Sequence, residues 1–211
     1  LLVDLLKSTT SMDFGKEIFP ELILGGRHDL RIYPFESYWE DIGTVGAFHQ
    51  ANIDLTRPEP PFRFIENDRA IFTRPRFLPC SRLSGVTVRN SLISDGCVIG
   101  EGSVIENSVI GVRAVIGRDV VIRDSYIMGN DSFEPQEIKA KRLAAGEPIL
   151  GIGDGSVIEK AIVDKNPRIG RNVHLINVKG EVDTEENAHG MIRDGVVVVP
   201  KFTLIPDNIR V

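Results

Sequence analysis

Three groups of residues have the types and spacing to do chemistry. The stretch Glu40-Asp41-Ile42-Gly43-Thr44 sets two carboxylates, a glycine and a hydroxyl between a strand-like and a helix-like segment. A carboxylate at a strand end, followed by glycine and a capping threonine, suits a hard cation such as Mg²⁺ with phosphates attached. The same acidic residues would also favour the dipole of the following helix with no ligand present. The second group is Lys165, in Asp164-Lys165-Asn166, and Lys201, after the run Val196 to Val199. With Arg74 or Arg76 nearby, two lysines suit a small phosphorylated anion. Charge-assisted bonds of roughly 1.5–3 kcal/mol each give millimolar to micromolar affinity. Lysines also populate solvent-facing corners and bind nothing there. The third candidate is His174, in Asn172-Val173-His174-Leu175, as the general base of an acyltransferase. No carboxylate partner for it is evident by spacing. His28, His49 and His189 read as surface or loop residues.

The element that must position these groups is a ladder of aliphatic residues six apart: Val86, Leu92, Val98, Val104, Ile110, Ile116, Ile122 and Met128. A second ladder, Ile93, Ile99 and Ile105, runs beside it and merges at Ile110. A helix would repeat at about 3.6 residues and a flat strand at about 2. Six residues between rungs, with Gly96, Gly100, Gly102, Gly111 and Gly117 among them, predict short strands separated by corners. Three such hexads close one triangular coil of a parallel solenoid. The ladder breaks at residues 130–150, where Glu134 to Ala145 reads as a helical excursion, and resumes through Val157, Val163, Ile169 and Leu175. A polar loop, Lys179 to Gly190, interrupts it again before Gly195 to Val199.

Residues 1–56 read as an α/β fragment. Helical spacing covers Leu1 to Lys7 and Phe14 to Leu24. A strand is expected over Arg31 to Phe35, with Pro34 confining it to an edge. Thr44 is placed to cap a helix from Val45 to Leu55. Residues 57–82 read as an extended linker, carrying Pro58, Pro60, Pro61, Pro75 and Pro79 with Arg57, Arg63, Arg69, Arg74, Arg76 and Arg82. Residues 83–211 are the solenoid. The chain of 211 residues is 42% hydrophobic and 26% charged, the composition of a globular protein. Its net charge of −5 argues against a nucleic-acid surface. No run approaches the 18 apolar residues of a membrane span. Cys80 and Cys97 read as free thiols in a reducing compartment. The first residue is not Met, so the chain is expected to begin inside a longer polypeptide.

Several motifs occur together in order: Phe14-Gly15-Lys16-Glu17-Ile18-Phe19-Pro20, Tyr38-Trp39-Glu40-Asp41-Ile42-Gly43-Thr44 and Phe72-Thr73-Arg74-Pro75-Arg76-Phe77-Leu78-Pro79. Asp124-Ser125-Tyr126-Ile127-Met128-Gly129, Asp164-Lys165-Asn166 and Ile192-Arg193-Asp194-Gly195 follow them. With these, the chain resembles the C-terminal half of the ADP-glucose pyrophosphorylase (glucose-1-phosphate adenylyltransferase) family. The resemblance implies the end of a Rossmann-like nucleotidyltransferase domain followed by a left-handed parallel β-helix of hexapeptide repeats. It implies a reaction in which glucose 1-phosphate attacks the α-phosphorus of ATP in line, with Mg²⁺, to give ADP-glucose and pyrophosphate. Asp41 would be the catalytic and metal-side carboxylate, and Trp39 and Glu40 would shape the substrate pocket with it. Arg74, Arg76, Asp164, Lys165 and Lys201 would bind phosphorylated effectors or orthophosphate. A tetramer, in a bacterial cytoplasm or a plastid, is also implied. The nucleotide-binding loop belongs to the family's N-terminal half, so this stretch alone is expected to be inactive. Pro200 and Asp194 depart from the family's usual apolar residue and Ser.

Overall fold

The computed structural model describes residues 2–26, 30–64 and 71–211. His28 and Arg69, which the sequence places on a surface or loop and in the linker, lie outside the described residues. Contacts group the chain into Leu1–Ser37 and Tyr38–Val211.

In the first unit, helix α1 spans Leu2–Ser8. A π-helical turn, Phe14–Ile18, then runs directly into α2, Phe19–Gly25. Asp13 starts the turn, its carboxylate accepting from the Lys16 amide at 2.8 Å, while Glu17 reaches back to the Met12 and Asp13 amides. This is a reciprocal capping arrangement. Gly26, at φ +59°, ends α2. The strand expected over Arg31 to Phe35 does not form. Residues 30–43 carry no regular element, and Ile32 and Tyr33 are almost fully exposed. A strand needs a partner for its amides and carbonyls. Pro34 has no amide to contribute to such a ladder.

The second unit is a three-walled parallel β-helix. The first wall stacks Arg82–Leu83, Val98–Ile99, Val115–Ile116, Gly151–Ile152, Arg168–Ile169 and Leu204–Ile205. The second stacks Thr87–Arg89, Val104–Glu106, Val121–Arg123, Val157–Glu159 and His174–Leu175. The third stacks Leu92–Ile93, Val109–Ile110, Tyr126–Ile127, Ala161–Val163 and Val196–Val199, and Met191–Arg193 adds an antiparallel edge. That edge comes from a two-residue hairpin, Asp194-Gly195, both at positive φ, as Asp-Gly turns favour.

Partners in regular neighbouring coils are 17 residues apart, as in Thr87↔Val104 and Val98↔Val115, so a coil is one residue short of three hexads; the first pair, Arg82↔Val98, is 16 apart. The interior is filled by Ile99, Ile105, Ile110, Ile116, Ile122, Ile127, Ile152, Ile158, Val163, Ile169, Leu175 and Ile205, all buried. Inward residues are six apart along two corners and five apart along the third, as in Ile105 to Ile110 and Ile122 to Ile127. The shortened corner turns on Asn90, Asn107, Asp124 and Lys160, each at φ of 44° to 48°. Three of the four are Asn or Asp, the side chains that best tolerate this conformation. The strict six-residue ladder therefore crosses the wall. Ile110, Ile116 and Ile122 point inward, whereas Val98 is 44% exposed beside buried Ile99. Half-buried Ser91 and buried Ser108 and Ser125 line the short corner, and the Oγ of each accepts the amide of the next coil: Ser108, Ser125 and Ala161 in turn.

Two coils are longer. Ile152 pairs with Ile116 and Val199 with Val163 at a spacing of 36, nineteen residues beyond the regular 17. The first excursion carries α4, Gln136–Ala144, within the helical stretch expected from sequence. It is anchored by Glu134, whose buried carboxylate accepts from Arg168 at 2.6 Å and from the Leu150 amide at 3.1 Å.

Helix α3, Val45–Asp54, is capped by Thr44, whose hydroxyl accepts from the Ala47 amide at 3.1 Å, as the sequence predicts. It packs on the third wall, with Phe48 5.8 Å from the Tyr126 ring. His49 is a correction: it is 5% exposed, and its Nε2–H donates to the Asp124 carbonyl at 2.7 Å. Cys80 and Cys97 are free thiols, exposed and buried respectively.

Candidate functional site

The corner between the third and first walls gathers the lysines. Val163 pairs with Val199 in register, so the residues that follow, Asp164-Lys165-Asn166 and Pro200-Lys201-Phe202, leave adjacent rungs side by side. Strands in register lie about 4.8 Å apart. The two lysines, 36 positions apart in sequence, thus become neighbours. Asn166 and Phe202 turn the corner at φ 59° and 64°, and the Phe202 amide donates to the Lys165 carbonyl at 3.1 Å. The Lys201 ammonium stands over the Phe202 ring at 4.9 Å.

On the rung before, the chain leaves the solenoid at Asp131. Its carboxylate bridges both cations, with Oδ1 3.2 Å from Lys165 Nζ and Oδ2 2.8 Å from Lys201 Nζ. Asn166 clamps the same residue twice, its amide nitrogen donating to Oδ2 and its carbonyl accepting from the Asp131 amide, both at 2.8 Å. The Lys201 ammonium, then Asn166 and Lys165, hold the Asp131 carboxyl well below its ordinary range. Sequence reasoning missed Asp131. The available signal was its position, the first charged residue after the hexad ladder breaks.

Of the other effector candidates, Asp164 turns inward on its own loop, accepting from the Lys165 amide at 2.6 Å. Arg74 and Arg76 lie exposed on the extended segment. Beside the corner opens a cleft of about 650 Å³ whose lining includes Asp131, Phe133, Glu134, Arg142, Arg168 and Phe202.

The Asp41 stretch sits at the N-terminus of α3. Asp41 Oδ1 accepts from the Gly43 amide at 3.1 Å, a local turn that presents the rest of the carboxylate to solvent. Glu40 is exposed and Trp39 is 72% exposed. Trp39 borders a shallow depression of about 480 Å³ lined also by Tyr38, Ile42, Phe48, Phe62 and Phe64. Among the described residues, no three His, Cys, Asp or Glu converge as a metal site. Mg²⁺ takes one or two carboxylates together with substrate phosphates and water. Asp41 fits one such ligand, and the described residues do not complete the set.

The departures have structural uses. Asp194 Oδ2 accepts from the Gly46 amide at 2.8 Å, which ties the start of α3 to the hairpin. A side chain at Gly46 would meet Asp194 Cβ at 2.9 Å. Pro200 turns the corner while its carbonyl accepts from Thr203 N and Oγ1. His174 Nδ1 accepts from Arg210 at 3.0 Å, so a guanidinium rather than a carboxylate orients the ring. No helix among the described residues is long and apolar enough to cross a membrane.

Two comparisons bear on this arrangement. The family model described as GLGC left-handed parallel beta-helix domain matches residues 76–209. The family model described as Nucleotidyl transferase matches residues 1–57.

Proposed function

Because the chain belongs to the family of GLGC left-handed parallel beta-helix domains, we propose that it is the C-terminal part of an enzyme that makes ADP-glucose and pyrophosphate from ATP and glucose 1-phosphate. The nucleotidyl transferase match over residues 1–57 supports a sugar-nucleotidyltransferase parent, and the choice of adenosine and glucose is our reading. In that parent, Asp41 offers one carboxylate to Mg²⁺ and, with Trp39 and Glu40, borders the sugar-phosphate pocket. The lysine corner is a regulatory site for phosphorylated metabolites and orthophosphate, with Arg74 and Arg76 as further cations and Asp164 as the residue that shapes the Lys165 turn. The assembly is a tetramer in a bacterial cytoplasm or a plastid.

The observation that carries the regulatory reading is the convergence of Lys165 and Lys201 on adjacent rungs. Two ammonium groups held by a rigid wall form an anion locus at small entropic cost, since the backbone is already ordered. Titration of the chain with orthophosphate, 3-phosphoglycerate and fructose phosphates tests it. Lys201→Ala and Lys165→Ala should each weaken binding by about tenfold or more, the loss of one charge-assisted bond. Unchanged affinity in both variants would remove the corner from the reading. The enzymatic half is tested by joining the chain to a complete nucleotidyltransferase domain and assaying sugar-nucleotide formation with each nucleoside triphosphate. Failure to prefer ATP and glucose 1-phosphate would overturn it.

A further inference from the structure

We propose that Asp131 is a built-in competing anion that occupies the lysine corner and must be displaced before a phosphorylated ligand can bind. The inference rests on the reading of Lys165 and Lys201 as an anion site and says how that site is regulated. Asp131 makes the contacts an incoming oxyanion would make: one oxygen to Lys165, the other to Lys201, and a hydrogen bond from the Asn166 amide. Its side chain is 44% exposed, so it can swing into water without opening the core. The backbone stays in place, because the Asp131 amide is held by Asn166 Oδ1, and the carboxylate therefore remains tethered beside the site. A tethered competitor acts at a high effective concentration, and its apparent cost to a free ligand does not depend on the protein concentration.

The device selects by chemistry. A monocarboxylate or a halide offers nothing that Asp131 does not already supply. A phosphate dianion brings more charge and a third oxygen, so it can take both lysines and the Asn166 amide and still accept another donor. The class favoured is therefore the phosphomonoester or orthophosphate dianion.

Binding of orthophosphate to the full 211-residue chain, followed by isothermal titration calorimetry, tests this in four proteins: wild type, Asp131→Asn, Asp131→Ser and Lys201→Ala. Removing two part-exposed ion pairs should tighten phosphate binding about two- to thirtyfold in both Asp131 variants, and Lys201→Ala should weaken it. The effect should be larger for phosphate than for acetate, which Asp131 already mimics. Phosphate binding only in the Asp131 variants would support the inference in its strongest form. If Lys201→Ala weakens binding but neither Asp131 variant tightens it, the anion site stands and the competitor is overturned. If no protein binds phosphate, or if wild type binds it and Lys201→Ala binds it equally well, the anion-site reading fails and the inference with it. Circular dichroism of the four proteins separates these outcomes from loss of fold.

Discussion

His49 couples the docking of α3 to pH. Burial, above all, pushes its pKa below the ordinary histidine value, with Lys160 adding to the effect while the Asp124 carbonyl and carboxylate oppose it. The neutral ring with hydrogen on Nε2 satisfies the Asp124 carbonyl. A histidine whose folded pKa is lowered binds its proton more readily when unfolded, so stability rises with pH until the unfolded value, about 6.5, is passed. Stability is therefore expected to fall as the pH drops below about 6.5. His49→Gln, which keeps an amide donor but does not titrate, should flatten this part of the profile in urea-unfolding midpoints measured from pH 5 to 8. An unchanged slope would mean that His49 is not the responsible group. The residue was legible in principle: Val45 and Phe48 define the buried face of α3, and position 49 is one helical turn beyond Val45. Treating a histidine as polar hid it.

Among the elements, the walls illustrate what periodicity can and cannot assign. Val-Ile pairs recur at Val98-Ile99, Val104-Ile105, Val109-Ile110, Val115-Ile116, Val121-Ile122 and Val157-Ile158. Either member of a pair satisfies a six-residue ladder. Only the five-residue corners decide that the isoleucine faces inward, and those corners depend on backbone conformation at Asn90, Asn107 and Asp124 rather than on hydrophobicity. The solenoid was thus readable from sequence, while the inward set was readable only in part. Truncation separates the two faces. Ile158→Ala should cost about 2–5 kcal/mol, since it opens a cavity in a close-packed interior. Val98→Ala on the outer face should cost under about 1 kcal/mol. Equal losses in chemical denaturation would place both residues in the same environment and contradict the assigned facing. The lysine corner divides in the same way. Lys165 and Lys201 were legible because register follows from the repeat. Asp131 was not, because its place is set by where an aperiodic excursion leaves the wall. The expected strand at Arg31 to Phe35 failed for a related reason: alternation describes a strand's faces and says nothing about its partner.

For the whole β-helix, the excursion lengths make a prediction about modularity. Each long coil exceeds the regular one by nineteen residues, and in the first of them the surplus lies at a corner. Removing residues 131–149 would join Asn130 to Leu150 and place Ile152 six residues after Ile127, the spacing that separates Ile110 from Ile116 on the same two walls. The ladder bonds that flank the junction, Asn130 N to Val112 O and Gly151 N to Pro167 O, involve residues that are retained. What is lost is α4, the Glu134 carboxylate beside Arg168, and Asp131. An Arg168 guanidinium left without its partner, 19% exposed, should lower stability by about 1–3 kcal/mol. The shortened chain should still unfold in one cooperative transition with the circular dichroism of the intact β-helix, because each coil contacts only its neighbours and the register across the junction is preserved. It should also bind orthophosphate more tightly than the parent chain, since both lysines remain on the wall and the tethered carboxylate is gone. A shortened chain that fails to fold would show that the excursion contributes to closing the coil, so that the spacing of inward residues alone does not define this solenoid.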